Sequence, residues 1–329
     1  MPEQLVFAME VSLNGLMTGV MYALVALGFV LIYKASGIFN YAQGVMALFA
    51  AMTLVGIQEG RVPFSHLINA IFGTEVHHLP WHSVPALFAI LLTVGVMIAF
   101  AWLVQKVVFK HLVGQEPIIL FMATIGLAYF LEGVADLMWG SEIRTLDVGL
   151  PQGINLAIDE TTFNWFGYGF FIDNLDIVAA IVAAVLVAGL VAFAQYTKQG
   201  RAMRAVADDH QAALSVGISL NFVWILVWSL AGFVALVAGI MWGSKSGVQF
   251  SLSLIALKAL PVLMLGGFTS IPGAIVGGLI IGVGEALFEF TIGPMIGGAT
   301  ENWFAYVLAL VFLVFRPQGL FGEKIIERV

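Results

Sequence analysis

Residues 13–33 read LNGLMTGVMYALVALGFVLIY, twenty-one residues without a charge. A helix rises about 1.5 Å per residue, so this run spans the ~30 Å hydrocarbon core of a bilayer. The pattern then repeats along the chain. Gly37–Ile57 is a second candidate span, with Asn40 and Gln43 near its start. Val84–Phe109 is a third. Pro117–Leu137 is a fourth, its proline in the first turn, where no N–H is missed. Asp176–Gln195 and Asn221–Trp242 are the fifth and sixth. Ser251–Phe268 is a seventh, broken by Pro261 and Gly266–Gly267. Pro272–Ile292, dense in glycine, is an eighth, and Trp303–Phe315 a short ninth. Composition agrees with this reading. The chain is 61% hydrophobic and 10% charged, against about 25% charge in a soluble domain. So few charges cannot keep a soluble surface wet, but they suit lipid as solvent. The expected fold class is all-α, a polytopic transmembrane helix bundle of about nine spans with interrupted helices. Residues 1–329 form a single transmembrane domain.

Several functions are excluded at this level. The chain has no cysteine, which removes disulfides, thiol catalysis and thiolate metal sites. A formal net charge of −7 lacks the basic footprint of a nucleic-acid binder. The first ten residues contain Glu3 and Glu10 and no basic n-region, so the first apolar segment is expected to be a retained helix. No G-x-x-x-x-G-K-[ST] phosphate loop occurs, so the chain is not expected to hydrolyse ATP or to be an enzyme. His66, His77, His78 and His82 share one loop, but a metal site needs convergent ligands, and none is expected. Glu132 and Asp136 share a helix face. An enzyme built on them, or on Glu285, would need a base, nucleophile or metal motif that is missing, so no catalytic residue is assigned.

Lysine and arginine set the orientation. With the N-terminus outside and nine crossings, Lys34, Lys106, Lys110, Lys198, Arg201, Arg204, Arg316, Lys324 and Arg328 all fall in the cytoplasm. Arg61, Arg144 and Lys245 fall outside, and Lys258 lies within a span. The reverse orientation would put the large basic group outside. The C-terminus is therefore expected in the cytoplasm.

One cytoplasmic segment, 197–220, cannot span. It reads TKQGRAMRAVADDHQAALSVGISL. Met203, Val206, His210, Ala213 and Gly217 recur on one helical face. Arg201, Arg204, Asp208, Gln211 and Ser215 recur on the other, which predicts one amphipathic helix over 201–217. Gly200 stands before it and Gly217 near its end as punctuation. A helix that lies on a membrane surface usually presents Trp, Phe or Leu to lipid. Here the apolar face is Ala, Val and Met, which permits close approach by another protein.

At this segment the sequence resembles a known family. GRAMRAVADDHQAALSVGI is similar to the cytoplasmic loop of the branched-chain amino-acid permease family of ABC importers. GIFNYAQG at Gly37–Gly44 resembles the family's N-F-A-H-G-type motif, with Tyr41 and Gln43 in place of its usual aromatic and histidine. LKALPVLMLGGFTSIPGAIVGGLIIG at Leu257–Gly282 and FRPQGLFG at Phe315–Gly322 also match. In that family the loop is a coupling helix seated in a cleft of the ATPase. The resemblance therefore implies ATPase-coupling roles for Arg201, Arg204, Ala205, Ala207, Asp208, Asp209, Ala212, Ala213 and Gly217. It implies two ATP-binding-cassette ATPase subunits, a second related permease and an extracytoplasmic substrate-binding protein as partners. ATP and Mg would be bound by the ATPases, with no cofactor in this chain. The location implied is the bacterial inner membrane. Within the family, urea, short amides or other small organic solutes remain alternative cargo to branched-chain or other hydrophobic amino acids.

Two stretches join apolar runs to helix breakers, 34–44 and 261–278, and such paired interruptions point to a transport path. Asn40 and Gln43 could line that path or hydrogen-bond across helices. Gly273, Gly277 and Gly278 have the spacing for close helix packing, which is favoured for the 273–282 run. Intramembrane charge is functional by default, so Lys258 and Glu285 are candidate path residues, or a structural ion pair. A secondary transporter or channel would share all of this except a helix that contacts an ATPase.

Overall fold

The computed structural model describes residues 2–73, 84–112, 114–153 and 172–322. Their regular structure is helical, with an isolated β-bridge between Arg144 and Val248. In chain order the helices are α1 (Pro2–Ser36), α2 (Gln43–Gln58), α3 (Ser65–Phe72), α4 (Ala86–Val107), α5 (Pro117–Trp139), α6 (Asn174–Tyr196), α7 (Lys198–Asp208), α8 (His210–Ser215), α9 (Leu220–Ser246), α10 (Ile255–Gly266), α11 (Ile271–Thr291), α12 (Gly293–Ile296) and α13 (Phe304–Phe315). Six are long and apolar enough to cross a membrane: α1, α4, α5, α6, α9 and α11. The segments Gln43–Gln58, Phe250–Gly266 and Phe304–Phe315 are apolar but shorter.

The chain forms two compact units, one of residues 1–30, 150–188 and 257–329, the other of residues 31–149 and 189–256. In the first, glycines set the packing of α11. One row meets α1. An added Cβ on Gly19 would lie 2.4 Å from the Gly278 carbonyl oxygen, and one on Gly282 would lie 2.2 Å from that of Gly15. Gly15 meets Gly282 while Gly19 meets Gly278, so α1 and α11 run antiparallel. A second row meets α10, with Gly273 against Gly266 and Gly277 against the carbonyl of Val262. Lipid gives apolar helices no hydrophobic reason to associate, so backbone contact through small residues does that work. The packing expected of the 273–282 run is what the structure contains.

Pro261 does not break the seventh segment, contrary to expectation. Helix α10 runs through it and ends at Gly266, and Gly267 has a φ of +103°. A proline frees the carbonyl four residues earlier. That carbonyl, on Leu257, accepts a hydrogen bond from the Tyr306 hydroxyl at 2.7 Å. A partner from α13 thus replaces the lost N–H. The last turn of α10 is closed by the segment that follows α13. Leu320 N–H donates to the Leu265 carbonyl at 2.8 Å and Phe321 N–H to that of Gly266 at 3.1 Å.

In the second unit α2 is central. Every residue from Gln43 to Gly56 is buried, by α4, α5, α9 and the turn Phe250–Leu254. Helix α4 buries Ala89, Thr93, Met97, Ala101 and Val104, while Leu87, Leu91, Ile98 and Trp102 are exposed. Mostly small residues face protein and large apolar ones face out, an arrangement that suits lipid as solvent.

The amphipathic segment also differs from expectation. It is two helices, α7 and α8, broken at Asp209 (φ −157°, ψ 115°). The Asp209 carboxylate accepts hydrogen bonds from the N–H groups of Gln211 at 2.7 Å and Ala212 at 3.0 Å. An aspartate that caps a new helix competes with continuation of the old one. Gly200 lies inside α7 rather than before it, because Thr197 is the cap and accepts from Gly200 N–H at 2.9 Å. Gly200 is needed there for space, since a Cβ would come within 2.3 Å of the Phe193 carbonyl oxygen.

Candidate functional site

The break between α1 and α2 begins at Gly37, whose φ of +67° ends α1. Backbone freed inside a membrane must be paired within the protein. Asn40 and Gln43, both 0% exposed, do this. Asn40 Oδ1 accepts from Ala42 N–H at 3.1 Å, and its Nδ2 donates to Gln43 Oε1 at 3.3 Å. Gln43 Nε2 donates to the Ala231 carbonyl of α9 at 3.3 Å. Thr124 of α5 accepts from Tyr41 N–H at 3.1 Å. The two amides are brought together, and their hydrogen bonds close the interruption.

In the other unit Lys258 and Glu285 are also brought together. Lys258 Nζ lies 3.0 Å from Glu285 Oε1, and Tyr22 donates its hydroxyl proton to Oε2 at 3.2 Å. Lys258 also donates to the backbone carbonyl of Glu301. Glu285 is 4% exposed. One turn on, Glu289 accepts from Ala299 N–H at 3.1 Å and Thr300 N–H at 2.6 Å. It fixes the turn in which Ala299 takes a φ of +57°. Among the described residues no cluster of three or more His, Asp or Glu could hold a metal. His77, His78 and His82 lie outside them, as do Lys324 and Arg328.

The apolar side of α7 and α8 is already occupied. Met203, Val206 and Ala213 are buried where the two helices pack on α9, and His210 meets Trp224 edge-on with ring centres 6.3 Å apart. The small-residue face expected to receive a partner is therefore spent within the chain. Ala213 is not free, and Gly217, assigned to that face, is exposed with a φ of +83°. Arg201, Arg204, Asp208, Asp209, Gln211, Ala212 and Ser215 are exposed, and so are Leu214 and Val216. Ala205 and Ala207 are half-buried. Two backbone N–H groups hold the Asp209 carboxyl below its ordinary range.

At the far end of this unit, the C-terminal ends of α2, α5 and α9 carry a group of charges. Arg61 pairs with Glu59 at 2.6 Å and more loosely with Glu142 at 3.7 Å. Arg144 is 6% exposed, and burial, then the positive charge of Arg61, pull it below its ordinary value.

Residues 11–316 match the family model described as branched-chain amino acid transport system, permease component. The chain belongs to this family. The high-affinity branched-chain amino acid transport system permease protein BraD of Pseudomonas aeruginosa is 28% identical over 320 residues, which cover 96% of both chains. LivH of Escherichia coli, of the same description, is 27% identical over 345 residues and all of both chains. The probable branched-chain amino acid transport permease protein LivH of Methanocaldococcus jannaschii is 28% identical over 306 residues, 91% of this chain and 88% of its own.

Within the permease, sequence reasoning missed Tyr22, Thr124 and Tyr306. Each serves a group more than eighty residues away, or, for Tyr306, forty-nine residues away. No local pattern marks such a partner. The cap at Asp209 had a local signal, an aspartate followed by helix formers, which the wider amphipathic period obscured.

Proposed function

We propose that this permease is the membrane-spanning subunit of an ATP-binding-cassette importer in the bacterial inner membrane. Its cargo is branched-chain or other hydrophobic amino acids. Two ATPase subunits bind ATP and Mg and supply the energy. A second related permease completes the membrane part, and an extracytoplasmic protein delivers the solute. The chain crosses nine times, with its N-terminus outside and C-terminus in the cytoplasm. The short segments α2, α10 and α13 complete the count. Helix α2 is about 24 Å long, and a helix walled in by protein need not match the bilayer.

The observation that carries this reading is the two-sided character of α7 and α8. One side is locked to α9 by Met203, Val206 and Ala213, and the other offers charge together with Leu214 and Val216. A partner that moves the outer side moves α9 with it. ATP-driven closure of the ATPases would tilt α9 and its neighbours and so alternate access. Asn40, Gln43, Lys258 and Glu285 serve the path by holding their own helices in place. Solute specificity then resides mainly in the delivery protein, and weak contacts along the path permit release.

Ala212→Glu tests the contact, because Ala212 is exposed and its replacement disturbs no packing. The variant should express and remain folded, yet lose co-purification with the ATPases and ATP-driven uptake. Unchanged uptake and unchanged assembly would overturn the docking assignment.

A further inference from the structure

Arg144 is held firmly in place and left chemically incomplete. Its backbone pairs with Val248 in both directions, at 3.1 and 2.7 Å. Its Nη2 donates to the Trp139 carbonyl at the end of α5. Among the described residues Nε and Nη1 meet no acceptor, although both are buried. These two nitrogens carry three of the five N–H donors of a guanidinium, a group that stays charged at any physiological pH. Unmet donors on a buried charge are strongly unfavourable, so such a group persists where something else supplies the acceptor. The nearby carboxylates among the described residues do not. Arg61 holds Glu59, and Glu142, 76% exposed, reaches Arg61 only at 3.7 Å.

The segment around Arg144 has a second property. Burial alternates, with Arg144 and Leu146 buried and Ile143, Thr145 and Asp147 exposed. Leu146 and Val248 come together over Gly243. Within a few residues the chain thus offers a bare cation, a loosely held carboxylate and a buried branched apolar surface.

We propose that Arg144 is the carboxylate-recognition residue of a binding site for a free zwitterionic amino acid, with Glu142 receiving the ammonium group and Leu146 and Val248 the side chain. The assignment rests on the importer reading, in which this end of the unit faces outside. A planar guanidinium with open N–H positions matches a carboxylate in two-point geometry. Glu142 can leave Arg61 at little cost, because an exposed pair at that distance contributes almost nothing. The guanidinium is covered in this structure, so the amino acid reaches it through a local opening that leaves the backbone pairing of Arg144 with Val248 in place.

The full-length permease in lipid nanodiscs is titrated by saturation-transfer NMR with three probes. These are leucine, leucinamide (no carboxylate) and isovalerate (no ammonium). Leucine should bind, and leucinamide should bind at least about tenfold more weakly, as expected for loss of a charge-assisted pair. Arg144→Met should weaken leucine by a similar factor and erase the difference between leucine and leucinamide. Glu142→Gln should weaken leucine and leave isovalerate unchanged. No leucine binding by the unaltered protein, equal binding of leucine and leucinamide, or undiminished leucine binding by Arg144→Met would each overturn the assignment, leaving buried water as the acceptor. Should Arg144→Met fail to fold, Glu142→Gln at an exposed position decides alone. Failure of the importer reading is separately visible, as absence of ATPase co-purification from the unaltered protein whatever the NMR result.

Discussion

Lys258→Met removes one charge and strands another. The pair sits at 3.0 Å, with the Lys258 side chain 22% exposed and that of Glu285 5% exposed. At an effective dielectric of about 20, two unit charges at that separation attract by roughly 5 kcal/mol before desolvation is counted. Removing one partner of a buried pair costs about 3–5 kcal/mol, because the remaining charge has lost water and gained nothing. The Tyr22 hydroxyl still reaches Glu285, and Lys258 is partly exposed, so the low end applies, about 3 kcal/mol. That is a change of about 150-fold in the ratio of folded to unfolded protein. The double variant Lys258→Met/Glu285→Met leaves no stranded charge and should recover to within about 1 kcal/mol of the parent. Unfolding by SDS titration in mixed micelles measures both, and uptake by the reconstituted importer measures function. The expected result is a destabilised single variant and a stable double variant that still transports. A single variant as stable as the parent would refute the reasoning, as would a double variant as unstable as the sum of the singles. A stable double variant without uptake would assign the charges to the path instead.

Other consequences follow from the same geometry. Gly19→Leu should abolish accumulation of folded protein, measured by size-exclusion profile, because even its Cβ would lie 2.4 Å from the Gly278 carbonyl oxygen. Gly126→Ala, where an added Cβ meets nothing within 4 Å, should be neutral or stabilise by about 1 kcal/mol through helix propensity. Thr197→Ala should cost about 1 kcal/mol through loss of the α7 cap, read as faster amide exchange at Gly200. The Asp209 carboxyl is held below its ordinary range by the Gln211 and Ala212 N–H groups, so its folded-state value is depressed relative to the unfolded one. The cap is thus present at neutral pH and lost as pH falls through the folded value. Amide protection at Gln211 and Ala212 should fall on acidification in the parent, be low throughout in Asp209→Ala, and be pH-independent in Asp209→Asn.

Lipid makes some of this protein easy to read and hides the rest. A span must be long, apolar and internally hydrogen-bonded, and these demands are local. The expected start of the fourth segment at Pro117 and the end of the ninth at Phe315 therefore coincide with α5 and α13. Glycine spacing is local too, so the packing of Gly273, Gly277 and Gly278 was legible, though not that it serves two neighbours at once. Exceptions to regular hydrogen bonding are different. Each needs a partner from elsewhere in the chain, and sequence spacing does not say which. Pro261 was read as a break because its rescuer, Tyr306, lies on another helix. Asn40 and Gln43 were visible as polar residues in an apolar run, but the Ala231 carbonyl that Gln43 reaches and the Thr124 hydroxyl that receives the Tyr41 N–H were not.

The glycine-rich stretch at 257–282 and the terminal FRPQGLFG carry this argument one step further. They look like separate motifs, and in the fold they are one junction. Leu265 and Gly266 leave carbonyls unmet at the end of α10, and Leu320 and Phe321 supply the N–H groups. Gly267 has a φ of +103° and Gly319 one of +78°. A Cβ on Gly319 would lie 2.7 Å from Gly267 N, and one on Gly267 would lie 2.8 Å from Gly322 N. Neither glycine can take a side chain, since Gly319 is closed in by the backbone of Gly267, and Gly267 by that of Gly322. The terminal segment therefore acts as the C-cap of a helix more than fifty residues earlier. A helix that ends this way needs no water at its last turn, which is what a segment that closes within a membrane protein requires.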